Sequence, residues 1–75
     1  MEKSELINVK PRLNKIMKER KLTQMKLSEM SGVTQGSISR FDNKTRHEAS
    51  HLFSIAKALN LKIEDLFEYD EDKQS

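Results

Sequence analysis

Apolar residues recur along this chain three or four positions apart, the spacing of a helix that buries one face. No stretch alternates with the period of a strand, so the predicted elements are all helices. Asn8 is placed to cap the first, with Pro11 tolerated in its first turn and Val9, Leu13, Ile16 and Met17 on one face. Thr23 caps a second helix that runs to about Met30 or Ser31, and Gly32 supplies the left-handed stop. Thr34 caps a third, Gln35 to about Asp42, followed by a polar connector over residues 43–47. A fourth helix begins near Arg46–Glu48, where Thr45 and Glu48 have capping-box spacing, and runs to Leu59. Leu52, Phe53, Ile55, Ala56 and Leu59 form its buried stripe, and Asn60 is its stop. Leu61, Ile63, Leu66 and Phe67 mark a short fifth helix. The expectation is one all-α domain over residues 9–67, with an N-terminal arm (1–8) and an acidic, disordered tail (68–75).

Composition narrows this picture. At 75 residues and a mean hydropathy of −0.79, there is material for one small core and no second one. The chain has no cysteine, which excludes a disulfide-stapled fold and a thiolate metal site and fits a reducing, cytoplasmic compartment. No apolar run approaches the ~20 residues of a membrane span, and no signal-peptide core is visible. The net charge of +2 hides an asymmetry. Residues 1–62 carry 13 Lys/Arg against six Asp/Glu, a net of +7. Residues 63–75 carry one Lys against six acids, a net of −5. A basic body is the footprint of a polyanion binder, and an acidic terminal run is a solvated tail.

The specific signal lies between Gln24 and Asn43. Two short helices flank the turn Ser31-Gly32-Val33, with Leu27, Val33, Ile38 and Phe41 facing inward and the small Ser28 after Leu27. Two helices crossing steeply need a small residue at close approach, a Gly at the turn and apolar contacts on both sides. With Leu22-Thr23-Gln24, Leu27-Ser28-Glu29, Ile38-Ser39-Arg40-Phe41, Asn43 and Ile55-Ala56-Lys57-Ala58-Leu59, this segment resembles the Cro/C1-type, lambda-repressor-like helix-turn-helix family. The resemblance covers roughly residues 9–67. It implies a compact five-helix DNA-binding domain whose third helix enters the major groove.

Carried over by that resemblance, Gln35, Gly36, Ser39 and Arg40 occupy the positions that face bases. Gln35 has the amide geometry for adenine and Arg40 the fork for guanine O6 and N7, whereas Gly36 offers no side chain. Gln24 resembles the family's phosphate-clamping glutamine at a helix N-terminus; Thr34, Ser37, Asn43, Lys44 and Arg46 are the other expected phosphate contacts. Outside this context, the same polar positions would read as a solvated helix face. The chain departs from the family twice. Met17 and Asp42 stand where relatives often carry a buried Arg–Glu pair, which leaves Asp42 in want of a backbone donor, Lys18 or Arg46. Lys44 stands where relatives often have Gly after the connector Asn.

His47-Glu48-Ala49-Ser50-His51 matches the zinc-protease pattern H-E-x-x-H. It falls beside the connector at a helix start, with no third ligand and little chain to enclose a substrate. The better reading makes His47 a neighbour of a phosphate, His51 a polar residue near the connector and Glu48 a helix-start acid. No catalytic residue, metal or cofactor is therefore expected. The resemblance implies a transcriptional regulator of prokaryotic or phage type, a repressor, acting on double-stranded DNA at the nucleoid. Because one recognition helix reads few base pairs, a homodimer on a pseudo-palindromic operator is expected, with Leu61, Phe67 and Tyr69 at the dimer contact. With no effector domain in the sequence, control would come through concentration or a protein partner, such as a toxin or RNA polymerase. The alternative is an antitoxin-type module that neutralises a partner protein and autoregulates its promoter.

Overall fold

The computed structural model describes residues 7–69. Four α-helices, α1 (Leu13–Arg20), α2 (Gln24–Ser31), α3 (Gln35–Arg40) and α4 (Ala49–Leu59), enclose one apolar core. A two-stranded antiparallel ribbon closes the domain, β1 (Val9–Pro11) against β2 (Phe67–Tyr69). Two short 3-10 turns, Phe41–Asn43 and Ile63–Leu66, extend α3 and lead into β2.

The ribbon corrects the all-α, five-helix expectation at both ends. Val9–Pro11 and Phe67–Tyr69 are strands of three residues each, too short to establish a strand period in the sequence. The register pairs Val9 with Tyr69, Lys10 with Glu68 and Pro11 with Phe67. Pro11 is therefore a strand residue, Asn8 caps nothing, and Val9 is 54% exposed rather than on the buried face of a helix. The fifth helix is the 3-10 turn Ile63–Leu66, held by the Lys62 N–H on the Asp65 carboxylate (3.0 Å). Glu68 and Tyr69, expected in the acidic tail, belong to β2; the remainder of that tail and residues 1–6 of the arm lie outside the described residues.

α1 begins after Arg12, whose side chain provides no cap. The first two N–H groups of the helix instead donate to the carboxylate of Asp42, Leu13 N to Oδ1 at 2.9 Å and Asn14 N to Oδ2 at 3.0 Å. A residue 28 positions downstream thus does the work of an N-cap. Of the three partners open to Asp42 in the sequence, the backbone donor is the one it takes. Arg12 spans the joint between ribbon and turn: its N–H reaches Leu66 O (2.9 Å) and its Nε–H reaches Asp65 O (3.0 Å).

Four of the remaining caps follow the sequence reading. The Thr23 hydroxyl accepts from Lys26 N (3.0 Å) and the Thr34 hydroxyl from Ser37 N (3.2 Å). Gly32 ends α2 at φ 81°, and Asn60 ends α4 at φ 61°. At the other end of α4 the helix starts at Ala49 with Glu48 as N-cap residue, so the Thr45–Glu48 capping box does not form. The Arg20 guanidinium donates to Leu59 O (2.6 Å), satisfying a terminal carbonyl of α4 from the end of α1.

Leu13, Leu27, Ile38, Ile55, Leu59 and Leu66 are fully buried, and Ile16, Met17, Val33, Phe41 and Ala56 complete the core. Phe53 is 64% exposed, contrary to its assignment to the α4 stripe. At about 100° per residue, Leu52, Ile55, Ala56 and Leu59 fill an arc of about 100°, and Phe53 falls about 60° outside it.

Candidate nucleic-acid interface

α2 and α3 are set against each other by the turn between them. The Ser31 hydroxyl donates to Leu27 O (2.7 Å) and accepts from Val33 N (3.1 Å), while Gly32 N returns to Ser28 O (2.8 Å). Gly32 takes the positive φ that a side chain would resist. Val33 then enters the core, and Thr34 opens α3.

α3 is six residues long and buries one of them, Ile38. At about 100° per residue, Gln35, Gly36, Ser39 and Arg40 fall within an arc of about 140° directed away from Ile38. Gln35, Ser39 and Arg40 are exposed, and Gly36 is half-buried. The four residues expected to face bases thus share one surface. Thr34 and Ser37 stand together at its N-terminal end, where the Thr34 hydroxyl donates to Ser37 Oγ (3.1 Å). At its C-terminal end Phe41 is buried and begins the 3-10 turn, so the helix expected to reach Asp42 stops as α-helix at Arg40.

Asn43, Lys44 and Arg46 follow in exposed positions along the connector. Asp42 is the one acid between Arg40 and Arg46. Its carboxylate is turned to the start of α1, where the helix dipole favours a negative charge. The connector is anchored by His47. Its Nε2–H donates to Phe41 O at 2.8 Å, and its ring lies 4.2 Å from that of Phe41 and 5.7 Å from that of Phe67, centroid to centroid. His47 is therefore a fastening between the connector, the end of α3 and the ribbon.

The same placement removes the zinc-protease geometry. His47 precedes α4 and His51 lies within it, so the two are not on one helix face, and His51 Nε2 sits 3.8 Å from Glu48 Oε1. Among the described residues, no group of three or more His, Asp or Glu is placed to hold a metal ion.

Gln24 is the first residue of α2 and half-buried. It lines an open depression with Asn14, Lys15, Lys18 and Leu22. Lys15 and Lys18 are exposed on α1, and folding brings them beside Gln24. Lys15 also lies 3.9 Å from Glu68. The residues expected at a dimer contact are dispersed. Leu61 and Phe67 are half-buried and pack on the core, whereas Tyr69 is 41% exposed beside Val9. Leu61 lines a shallow depression with Phe53, Lys57 and Ile63, and Tyr69 a separate one with Asn8, Val9 and Lys10.

No helix among the described residues is long and apolar enough to cross a membrane. A comparison with curated proteins finds no match. A family model, that of the Cro/C1-type HTH DNA-binding domain, matches residues 12–72. The match spans α1, the α2–turn–α3 unit, the connector, α4 and β2, the whole of the scaffold that presents Gln35 to Arg46. The chain belongs to the Cro/C1-type helix-turn-helix DNA-binding family.

Proposed function

We propose that this chain is a sequence-specific transcriptional repressor that lays α3 in the major groove and acts as a homodimer on a pseudo-palindromic operator. The observation that carries the reading is the single polar arc of Gln35, Gly36, Ser39 and Arg40, backed by the buried Ile38 and flanked by a basic connector. In it Gln35 pairs with adenine through its amide, Arg40 with guanine through its fork, and Ser39 adds a short hydroxyl contact. Gln24 holds a phosphate at the N-terminus of α2, with Lys15 and Lys18 beside it. Thr34, Ser37, Asn43, Lys44 and Arg46 hold the strand on the other side of α3. A second copy supplies the second half-site, because one short helix reads too few base pairs for a specific operator. Val9 and Tyr69, exposed and paired across the ribbon, are the strongest candidates for that contact; Phe67 lies in the same strand and Leu61 in a separate depression.

Selection of bound sites from random duplex DNA tests the reading, followed by affinity measurements across salt concentration. The expected result is an enriched sequence with two related half-sites about one helical turn apart and a steep salt dependence. Binding without enrichment would overturn sequence-specific reading, and a single unsymmetrical site held by a monomer in sedimentation would overturn the dimer.

A further inference from the structure

Glycine is the poorest helix former after proline, and α3 spends one of its six positions on Gly36. The fold gives no reason for it. Gly32 is the glycine with positive φ; Gly36 is not among the positive-φ residues. No packed neighbour crowds it either. The three nearest atoms that a Cβ there would meet, outside its own stretch of backbone, belong to the guanidinium of Arg40: Nη2 at 3.3 Å, Cζ at 3.9 Å and Nη1 at 3.9 Å. The guanidinium of Arg40 therefore folds back by about one helical turn and rests over the bare backbone of Gly36.

We propose that Gly36 and Arg40 form one reading unit, in which the missing side chain of Gly36 lets the Arg40 fork lie over residue 36 and sets which guanine it contacts. This rests on α3 reading DNA as proposed above. Gly36 is then a positioning residue that acts through Arg40, and the gap at a base-facing position is not a lost contact. The guanidinium occupies the place where a side chain at 36 would project, nearer to Gln35 than a fully extended Arg40 would be. A methyl group at 36 displaces the fork by a few tenths of an ångström, whereas a long side chain takes its place.

The test uses the full chain and the operator it selects from random duplexes. Wild type, Gly36→Ala, Gly36→Gln, Arg40→Ala and the Gly36→Ala/Arg40→Ala double variant are measured on that site and on every single-base-pair change of it. Arg40→Ala is expected to lose about tenfold in affinity and to flatten the preference for guanine at one base pair. Gly36→Gln is expected to abolish the guanine preference at that same base pair, and Gly36→Ala to weaken it. In the Arg40→Ala background, Gly36→Ala is expected to change affinity by less than about twofold, because the group it displaces is gone. Thermal melting of each variant excludes unfolding as the cause, since Ala and Gln are both better helix formers than Gly.

Losses that multiply in the double variant would overturn the unit. So would a Gly36→Gln variant that keeps the guanine preference, or one that alters a different base pair. If wild type enriches no sequence, DNA reading by α3 fails and the unit with it. If wild type enriches a site and only the coupling is missing, the reading stands and this proposal alone falls.

Discussion

Replacing Asp42 by Ala removes the cap of a helix 28 residues away. In the structure both carboxylate oxygens accept from α1, at 2.9 Å from Leu13 N and 3.0 Å from Asn14 N. Loss of an N-cap side chain costs about 1 kcal/mol, within a range of about 0.5–2. Loss of a carboxylate from the positive end of a helix adds about 0.3–1 kcal/mol. The Asn14 bond is exposed, which holds the sum to about 2 kcal/mol. For a domain of this size, 1 kcal/mol moves the melting midpoint by about 4–8 °C, so Asp42→Ala is expected to melt about 8–16 °C below wild type. Total stability of about 4–11 kcal/mol leaves the variant folded at room temperature. Asp42→Asn keeps one acceptor oxygen, loses the charge, and is expected to recover about half of the loss. The assay is thermal denaturation followed by circular dichroism at fixed protein concentration. A midpoint for Asp42→Ala within about 2 °C of wild type would refute the reasoning, because it would mean that α1 finds an equivalent cap in water.

Three further outcomes follow from other contacts. Gln24→Ala is expected to weaken binding to the selected operator and to random DNA by about the same factor, measured side by side; a change in base preference would show that Gln24 reads sequence. Phe53→Ser is expected to leave the melting midpoint within about 3 °C of wild type, since its ring is 64% exposed, whereas Leu27→Ala, fully buried, costs about 2–5 kcal/mol. His47→Ala, which loses the bond to Phe41 O and two ring contacts, is expected to cost about 1–2 kcal/mol by chemical denaturation. His47→Gln, with an amide donor of similar reach, restores part of that cost only if the hydrogen bond carries it.

The helix-turn-helix was legible because its determinants are local. Thr23, Gly32 and Thr34 act within four residues of themselves, so their spacing in the sequence is their geometry in the fold. The polar arc of α3 was legible for the same reason, since Gln35, Gly36, Ser39 and Arg40 need only a helix and a buried Ile38 to share a face. What the sequence hid is long-range. A three-residue strand has too few alternations to show a period, and β1 is a strand only because β2, nearly 60 residues on, supplies its partner. Asp42 reads as the residue after a helix, and nothing around it points to the amides of α1. His47 reads as half of a metal motif until Phe41 and Phe67 are placed on either side of it. Lys15 and Lys18 come beside Gln24 only when α1 and α2 fold together.

These hidden contacts bear on how a six-residue helix is held in one orientation at all. A helix so short is not stable alone, and its hydrogen bonds do not fix its direction. Direction comes from its two ends. The start is held by the Thr34 cap and the Ser31–Gly32 turn. The finish is held by Phe41 in the core, by Asp42 on α1 and by His47 on the Phe41 carbonyl. Every one of these fastenings lies off the polar arc. The residues of the arc therefore carry no structural duty beyond helix formation, and one of them can be glycine without cost to the orientation of the helix. On the proposed reading, residue choice at positions 35, 36, 39 and 40 answers to DNA alone, and changes there should redirect binding while the melting midpoint stays near that of wild type. Changes at Asp42 or His47 should do the reverse: they lower stability and loosen binding on every sequence together.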